Sequence, residues 1–297
     1  DKHGNNKARM ISAGGICEDG MSATLSGISA IGKHIGVGAS YAAFISPLSH
    51  ISARVHAISQ QCFHERSGKP GNTMIVLNGH AGIKTGEDGP THADAQALQL
   101  YQGNFPKGRA ISLTPLDPNE IWPLVTYALS LRPAVLAPFI TRPKERVIDR
   151  SKLAAPDISA VMKGIYAIHK SSQTNKTVIL QGSGSGAVFI SQVMPELLEK
   201  GIEFNAFYVS SRDLFELLGE EEQEGILPNE WKRNAMAITD YTLPTISGLV
   251  HSDDGLRRSL HPYRNGHYLG SGTWDMVMEE AGLTKEYQLQ ALLDFFS

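Results

Sequence analysis

A chain of 297 residues, 41% of them hydrophobic and 19% charged, has globular composition and enough length to bury two ordinary cores, which excludes a disordered or fibrous protein. Its formal net charge of -3 gives no electrostatic reason to expect nucleic acid or a membrane surface as partner. No apolar run approaches the roughly 18 residues that a membrane-spanning helix needs. With only Cys17 and Cys62, the sequence argues against a disulfide framework or a cysteine zinc site, and for a reducing compartment, the cytoplasm or an organelle stroma. Asp1 opens the chain without an initiator Met or a signal-peptide pattern, so a processed or partial chain is expected.

In chain order, Met21, Leu25 and Ile28 recur at helical spacing and predict an amphipathic helix opening just after Glu18. Residues 35–45, small and apolar with Tyr41 and Phe44 among them, read as a strand or buried loop. Residues 51–61 read as a helix, and 74–77 as a strand. Residues 78–92 hold Gly79, Gly82, Gly86, Gly89 and Pro90, a composition that makes them a loop, and a long one of the kind usually kept for function. A strand at 110–113 precedes Asp117-Pro118-Asn119-Glu120, an N-cap followed by Pro and Glu in the first helical turn. That helix runs to about Leu131 with Pro123 inside it, and a buried strand follows at 134–140. Composition turns polar from Lys144, which sets a first domain at 1–150, a linker at 151–176 and a second domain at 177–297. The second domain reads as strand (178–180), glycine turn, helix (188–200), strand (204–209), then a helix around Leu214. This alternation implies a parallel sheet covered by helices. The acidic run 220–224 reads as a solvated surface.

Three features draw attention as chemistry. The loop from His80 to His92 gathers two imidazoles and two carboxylates, Glu87 and Asp88, just past a buried strand, where open α/β sheets bind ligands. Composition alone leaves a ligand loop and an incidental surface loop evenly matched, and His80 and His92 lack the close spacing of metal ligands. Gly182-Ser183-Gly184-Ser185-Gly186-Ala187 has the outline of a dinucleotide fingerprint. It lacks the acid expected after the next strand, so a tight strand-to-helix turn is the better reading. Glu18, beside Gly14-Gly15, reads on its own as a helix cap.

The stretch His80 to His92, with its core Gly86-Glu87-Asp88-Gly89-Pro90-Thr91-His92, resembles the substrate loop of transketolases. Gly14-Gly15-Ile16-Cys17-Glu18-Asp19-Gly20-Met21, Lys163-Gly164-Ile165-Tyr166 and Ser211-Arg212-Asp213-Leu214-Phe215-Glu216-Leu217 resemble further segments of that family in the same order. The resemblance runs from about Met10 to Pro228. It implies two doubly wound α/β domains with mainly parallel sheets, a pyrimidine-binding domain lacking its first helix and strand and a C-terminal domain.

The resemblance also implies thiamine diphosphate as cofactor. It makes Glu18 the glutamate that hydrogen-bonds the aminopyrimidine, Tyr41 and Phe44 the aromatics against that ring, and His80 and His92 the proton-moving histidines. Asp88 is then the acid that reads a donor-sugar hydroxyl, and Arg142 the arginine that binds the sugar phosphate. The divalent metal, magnesium or calcium, and the diphosphate belong to an N-terminal domain with no counterpart here. That domain is expected from a longer chain or a separate subunit, in a homo-oligomer or split-subunit assembly. Cys17 stands where the family has Arg, Pro47 where an aromatic is common, and Pro143 follows Arg142 in place of a polar residue. His251, His261 and His267 lie in a segment, 240–268, without a placed counterpart. The expected reaction is transfer of a two-carbon ketol unit from a ketose phosphate to an aldose phosphate. The rivals are a catalytically silent assembly or regulatory paralogue and a thiamine enzyme acting on a 2-oxo acid.

Overall fold

The structure, a computed structural model, describes residues 15–30, 34–84, 89, 92, 94–144 and 147–297. In the first of two α/β units, β1 (Val37–Tyr41), β2 (Met74–Gly79), β3 (Ala110–Leu113) and β4 (Val135–Ile140) form a wholly parallel sheet in the order β1-β2-β4-β3. β3 is buried at every position although it is an edge strand, because the second unit packs against it. Helix α1 (Glu18–Ala30) turns Glu18, Ser22, Leu25 and Ser29 inward at helical spacing and packs on α2 (Ala42–Ser67).

β1 passes into α2 with no intervening loop. Tyr41 ends the strand and, with extended backbone (φ -66°, ψ 137°), stands as N-cap of the helix. Phe44 is therefore helical, and the helix expected from Ile51 already begins at Ala42. Pro47 hides this start, since its ring and missing N–H oppose an interior helical position. The lost bond is outweighed by one buried stripe along the helix, Ile45, Ser49, Ala53 and Ala57. Gly68, in the left-handed conformation at φ 66°, closes α2 with its N–H on the His64 carbonyl at 2.8 Å. Helix α3 (Pro118–Ser130) has the expected cap, Asp117 accepting from the Asn119 N–H at 2.8 Å.

The second unit holds β5 (Ile165–His169), β6 (Thr177–Gln181), β7 (Asn205–Val209) and β8 (Ala235–Thr239) in the order β5-β7-β6-β8. Only β5 is antiparallel to its neighbour. Residues 151–176, read from the sequence as a linker, thus contribute a strand. The helix expected over 188–200 is instead α4 (Ser183–Val188) and α5 (Met194–Glu199) joined by a π-helical turn, Phe189–Val193. Pro195 has no N–H for the carbonyl four residues back, and the wider turn accommodates the mismatch. Short helices follow, α6 (Arg212–Leu217), α7 (Glu220–Ile226), α8 (Asn229–Arg233), α9 (Asp253–Arg258), α10 (Trp274–Glu280) and α11 (Lys285–Phe296).

One apolar core spans both units, with Ile111, Leu113 and Leu124 of the first packed with Tyr166, Val178 and Leu214 of the second. Hydrogen bonds lock the seam. Thr114 donates its N–H to the Ser210 carbonyl at 2.7 Å and its hydroxyl to that of Val209 at 2.8 Å. Asp213 accepts from the Ser112 N–H and hydroxyl at 2.7 and 2.5 Å. Among the described residues no helix is long and apolar enough to cross a membrane.

Candidate active site

The carboxyl ends of β1, β2 and β4 lie side by side, Tyr41 paired with Gly79 and Gly79 with Ile140. Whatever follows these strands gathers on one edge of the sheet, where parallel sheets place their ligands. His80, directly after β2, takes the left-handed conformation at φ 52°. That costs a non-glycine residue about 1–2 kcal/mol. The imidazole stacks on Tyr41 with ring centroids 3.7 Å apart. His92, on the far limb of the loop, meets the Tyr41 ring edge-on at 5.4 Å and Phe44 at 5.0 Å. Tyr41 and Phe44 lie 6.1 Å apart, one helical turn from each other. Four residues chosen from the sequence thus form a single aromatic cluster.

Glu18 reaches this cluster through a residue the sequence reading lacks. Ser40, immediately before Tyr41, donates its hydroxyl to Glu18 Oε1 at 2.8 Å. Its orientation is encoded in strand alternation: Gly38, two residues earlier, lies against Leu25 and Met21 of α1, so Ser40 faces α1 too. Glu18 is only 9% exposed. Its Oε2 is buried without a hydrogen-bond partner among the described residues, and so is Ser22 Oγ one turn further along α1. A buried polar atom left so costs about 1–3 kcal/mol, and such atoms call for a specific explanation.

The remaining expected site residues are placed differently. Arg142 follows β4 on the same sheet edge and is exposed. Asp88 lies outside the described residues, as do Gly86, Glu87, Pro90 and Thr91. Cys17 sits partly buried just ahead of α1. In the C-terminal segment His251 bonds the Gly248 carbonyl at 3.2 Å, and His267 lies 3.7 Å from Glu280. Among the described residues no three His, Cys, Asp or Glu side chains converge as metal ligands would.

The glycine turn at the head of α4 has an occupant of its own. Asp240, directly after β8, receives the Gly184 N–H at 2.7 Å and the Ser185 N–H at 2.9 Å. A Cβ at Gly182 would stand 2.5 Å from that of Asp240, so the turn closes on this side chain. Where a dinucleotide fingerprint would meet phosphate, the chain supplies its own carboxylate.

Residues 2–143 match the family model of the transketolase pyrimidine-binding domain. Transketolase of Aquifex aeolicus is 33% identical over 158 residues, 53% of this chain and 22% of that protein. Chloroplastic transketolase of Spinacia oleracea is 32% identical over 160 residues, 53% of this chain and 20% of that protein. The match thus spans about a fifth of the length of these curated relatives. The structure of transketolase from Leishmania mexicana superposes with a TM-score of 0.72, covering 95% of this chain and 37% of that one at 18% identity. A split-gene transketolase, described as an inactive beta4 tetramer, superposes with a TM-score of 0.62, covering 94% of this chain and 82% of that one at 16% identity. At such identities these two likenesses concern the fold, and they extend it over both units.

Proposed function

We propose that this chain, a relative of transketolases that carries their pyrimidine-binding domain and matches only part of a full-length one, is the glutamate-bearing half of a thiamine-diphosphate-dependent ketol transferase. The observation that carries the reading is Glu18 Oε2, buried without a partner among the described residues and held one residue away from the stack of Tyr41 and His80. A flat aminopyrimidine fits both needs, offering a ring nitrogen to the carboxyl and a face to the aromatic rings. Thiamine diphosphate, when bound, supplies the acidic thiazolium carbon and the electron sink that ketol transfer requires.

The chain's own residues then have distinct tasks. Glu18 holds and shares a proton with the pyrimidine through Oε2, while Ser40 fixes its other oxygen. Tyr41 and Phe44 wall the ring. His80 and His92 exchange protons with sugar hydroxyls. Asp88 reads a donor hydroxyl, and Arg142 offers a multi-donor guanidinium to the phosphate of a ketose or aldose phosphate. The diphosphate and its divalent metal fall to the other half, a separate subunit or a further segment. Helix α2 supports a protein partner, since Leu48, Ile51, Val55 and Ile58 form an exposed apolar stripe along it.

A second reading, a catalytically silent assembly subunit, draws on Cys17 beside Glu18 where the resemblance expects Arg. Calorimetry with thiamine diphosphate and magnesium, followed by a ketol-transfer assay, separates the two. The chain alone is expected to bind weakly, and its complex with a diphosphate-binding transketolase domain to bind tightly and turn over. Tight, metal-dependent binding by the chain alone would overturn the division of labour. Binding without turnover in the complex would favour the silent subunit.

A further inference from the structure

The segment after β8 has no task in the reading above, yet it touches the His80–Gln96 loop on both limbs and at its centre. On the entry limb, Gly82 (φ 74°) lies so close to Asp240 that a Cβ there would be 3.1 Å from the aspartate Cβ. Lys84, buried at 8% exposure, sets its ammonium 4.6 Å from the centroid of the Trp274 ring. At the centre, Gly89 lies against the Ser271 side chain, a Cβ there standing 2.2 Å from Ser271 Oγ, and its left-handed backbone (φ 78°) favours glycine. On the exit limb, Thr242 donates its N–H to the Ala95 carbonyl at 3.1 Å, and Gln96 donates to the Tyr263 hydroxyl at 3.5 Å.

The gripping segment is itself anchored. Asp240 is pinned by the N–H groups of Gly184 and Ser185, and Trp274 opens α10. Thr242 also donates its hydroxyl to Gln99 Oε1 at 2.8 Å, just past the loop, and Tyr241 meets Phe139 of β4 edge-on at 6.2 Å. Ordering a glycine-rich loop costs conformational entropy at every residue fixed. Contacts spread along both limbs, from a support fixed to the other sheet, offset part of that cost before any ligand arrives.

We propose that residues 240–274 are a positioning clamp, through which the second unit sets the placement of His80 and His92 against Tyr41. Thr242, Tyr263, Ser271 and Trp274 are positioning residues: they act on the loop that carries the histidines. The catalytic consequence rests on the function proposed above, whereas the clamp is measurable without any turnover.

The test is amide hydrogen exchange on the whole chain. Trp274→Ala is expected to speed exchange in peptides covering 80–84 and 94–96 by about tenfold, leaving Thr177–Val209 unchanged, and Trp274→Phe to restore most of the protection. Lys84→Met, which leaves α10 untouched, is expected to act in the same way. The double variant should exchange no faster than either single one, as for two partners in one contact. Unchanged loop exchange in Lys84→Met, or effects of the two substitutions that multiply, would overturn the clamp. In the assembled enzyme Trp274→Ala is expected to lower kcat about tenfold with little change in thiamine diphosphate affinity, and Trp274→Phe to recover it. An assembly inactive with the unaltered chain would count against the proposed function alone, since the exchange result stands without it.

Discussion

Two buried carboxylates, Glu18 at the start of α1 and Asp240 directly after β8, are treated by the protein in opposite ways. Asp240 in the second unit has a backbone N–H on each oxygen, from Gly184 and Ser185. Burial pushes its carboxyl up, and those donors, together with the charge of Lys84, pull against that rise. Glu18 in the first unit has the Ser40 hydroxyl on one oxygen and, among the described residues, nothing on the other. The glycine turn that looks most like a ligand motif is satisfied by the chain itself. The glutamate that looks like an ordinary cap keeps unused hydrogen-bonding capacity. Satisfaction of buried polar atoms, more than motif outline, separates the structural acid from the candidate catalytic one.

The sharpest way to break this contrast is to alter each acid. Glu18→Gln exchanges one unpartnered atom for another, so stability should hold within about 1 kcal/mol. Turnover by the complete assembly should fall by about 10²–10⁴-fold, the range ascribed to a positioned proton-transfer group. Parent-like turnover with saturating thiamine diphosphate would remove Glu18 from the mechanism. Asp240→Ala should do the reverse and act on stability first. Two buried N–H groups lose their acceptor, at a cost of about 2–6 kcal/mol in urea unfolding. A loss below about 0.5 kcal/mol, the level of a surface substitution, would mean that Asp240 is not the anchor described here.

Asp213, at the seam, is an intermediate case that sharpens the comparison. Both Ser112 donors fall on one of its oxygens, and burial carries its carboxyl to about 6, from an ordinary value of 3.8. The folded form therefore holds its proton more tightly than the unfolded chain. Its stabilising contribution is complete below pH 3.8 and is lost as pH rises through about 6. The size is on the order of 3 kcal/mol. Asp213→Asn removes this titration, so the stability gap between parent and variant should shift by that amount between those two pH values, in favour of the variant at the higher pH. A gap that stays constant across the window would show that the seam carboxyl titrates normally.

Much of the scaffold was legible because its signals are local. Asp117-Pro118 announces α3, and the apolar runs of β2, β3 and β4 announce buried strands. Phe44 was harder, because Pro47 argues locally against the helix that burial of Ile45, Ser49 and Ala53 imposes. β8 was not anticipated, since Ala235–Thr239 is a short run whose identity comes from pairing with β6. In the site, the resemblance singled out Glu18, Tyr41, Phe44, His80 and His92, and four of these meet ring to ring. Ser40 escaped notice because its importance lies in a contact 22 positions away in sequence. Occupation of the glycine turn by Asp240 is likewise a contact across 56 positions.

The smallest expected effect comes from that overlooked serine. Ser40→Ala deletes the single hydrogen bond that fixes Glu18 Oε1 and leaves the carboxyl with no partner on either oxygen among the described residues. A bond of this kind is worth about 1 kcal/mol, which corresponds to roughly fivefold in rate if it serves to aim Oε2. The loss should appear in kcat, with the KM for sugar phosphates unchanged, because the serine sits on the cofactor side of the cluster. Ser40→Thr retains a hydroxyl on a β-branched side chain suited to a strand, and should recover most of the activity. Equal kcat in the alanine variant and the parent would show that packing alone orients Glu18. In that event the contrast with Asp240 would rest on one oxygen, Oε2, without the support that Ser40 lends it.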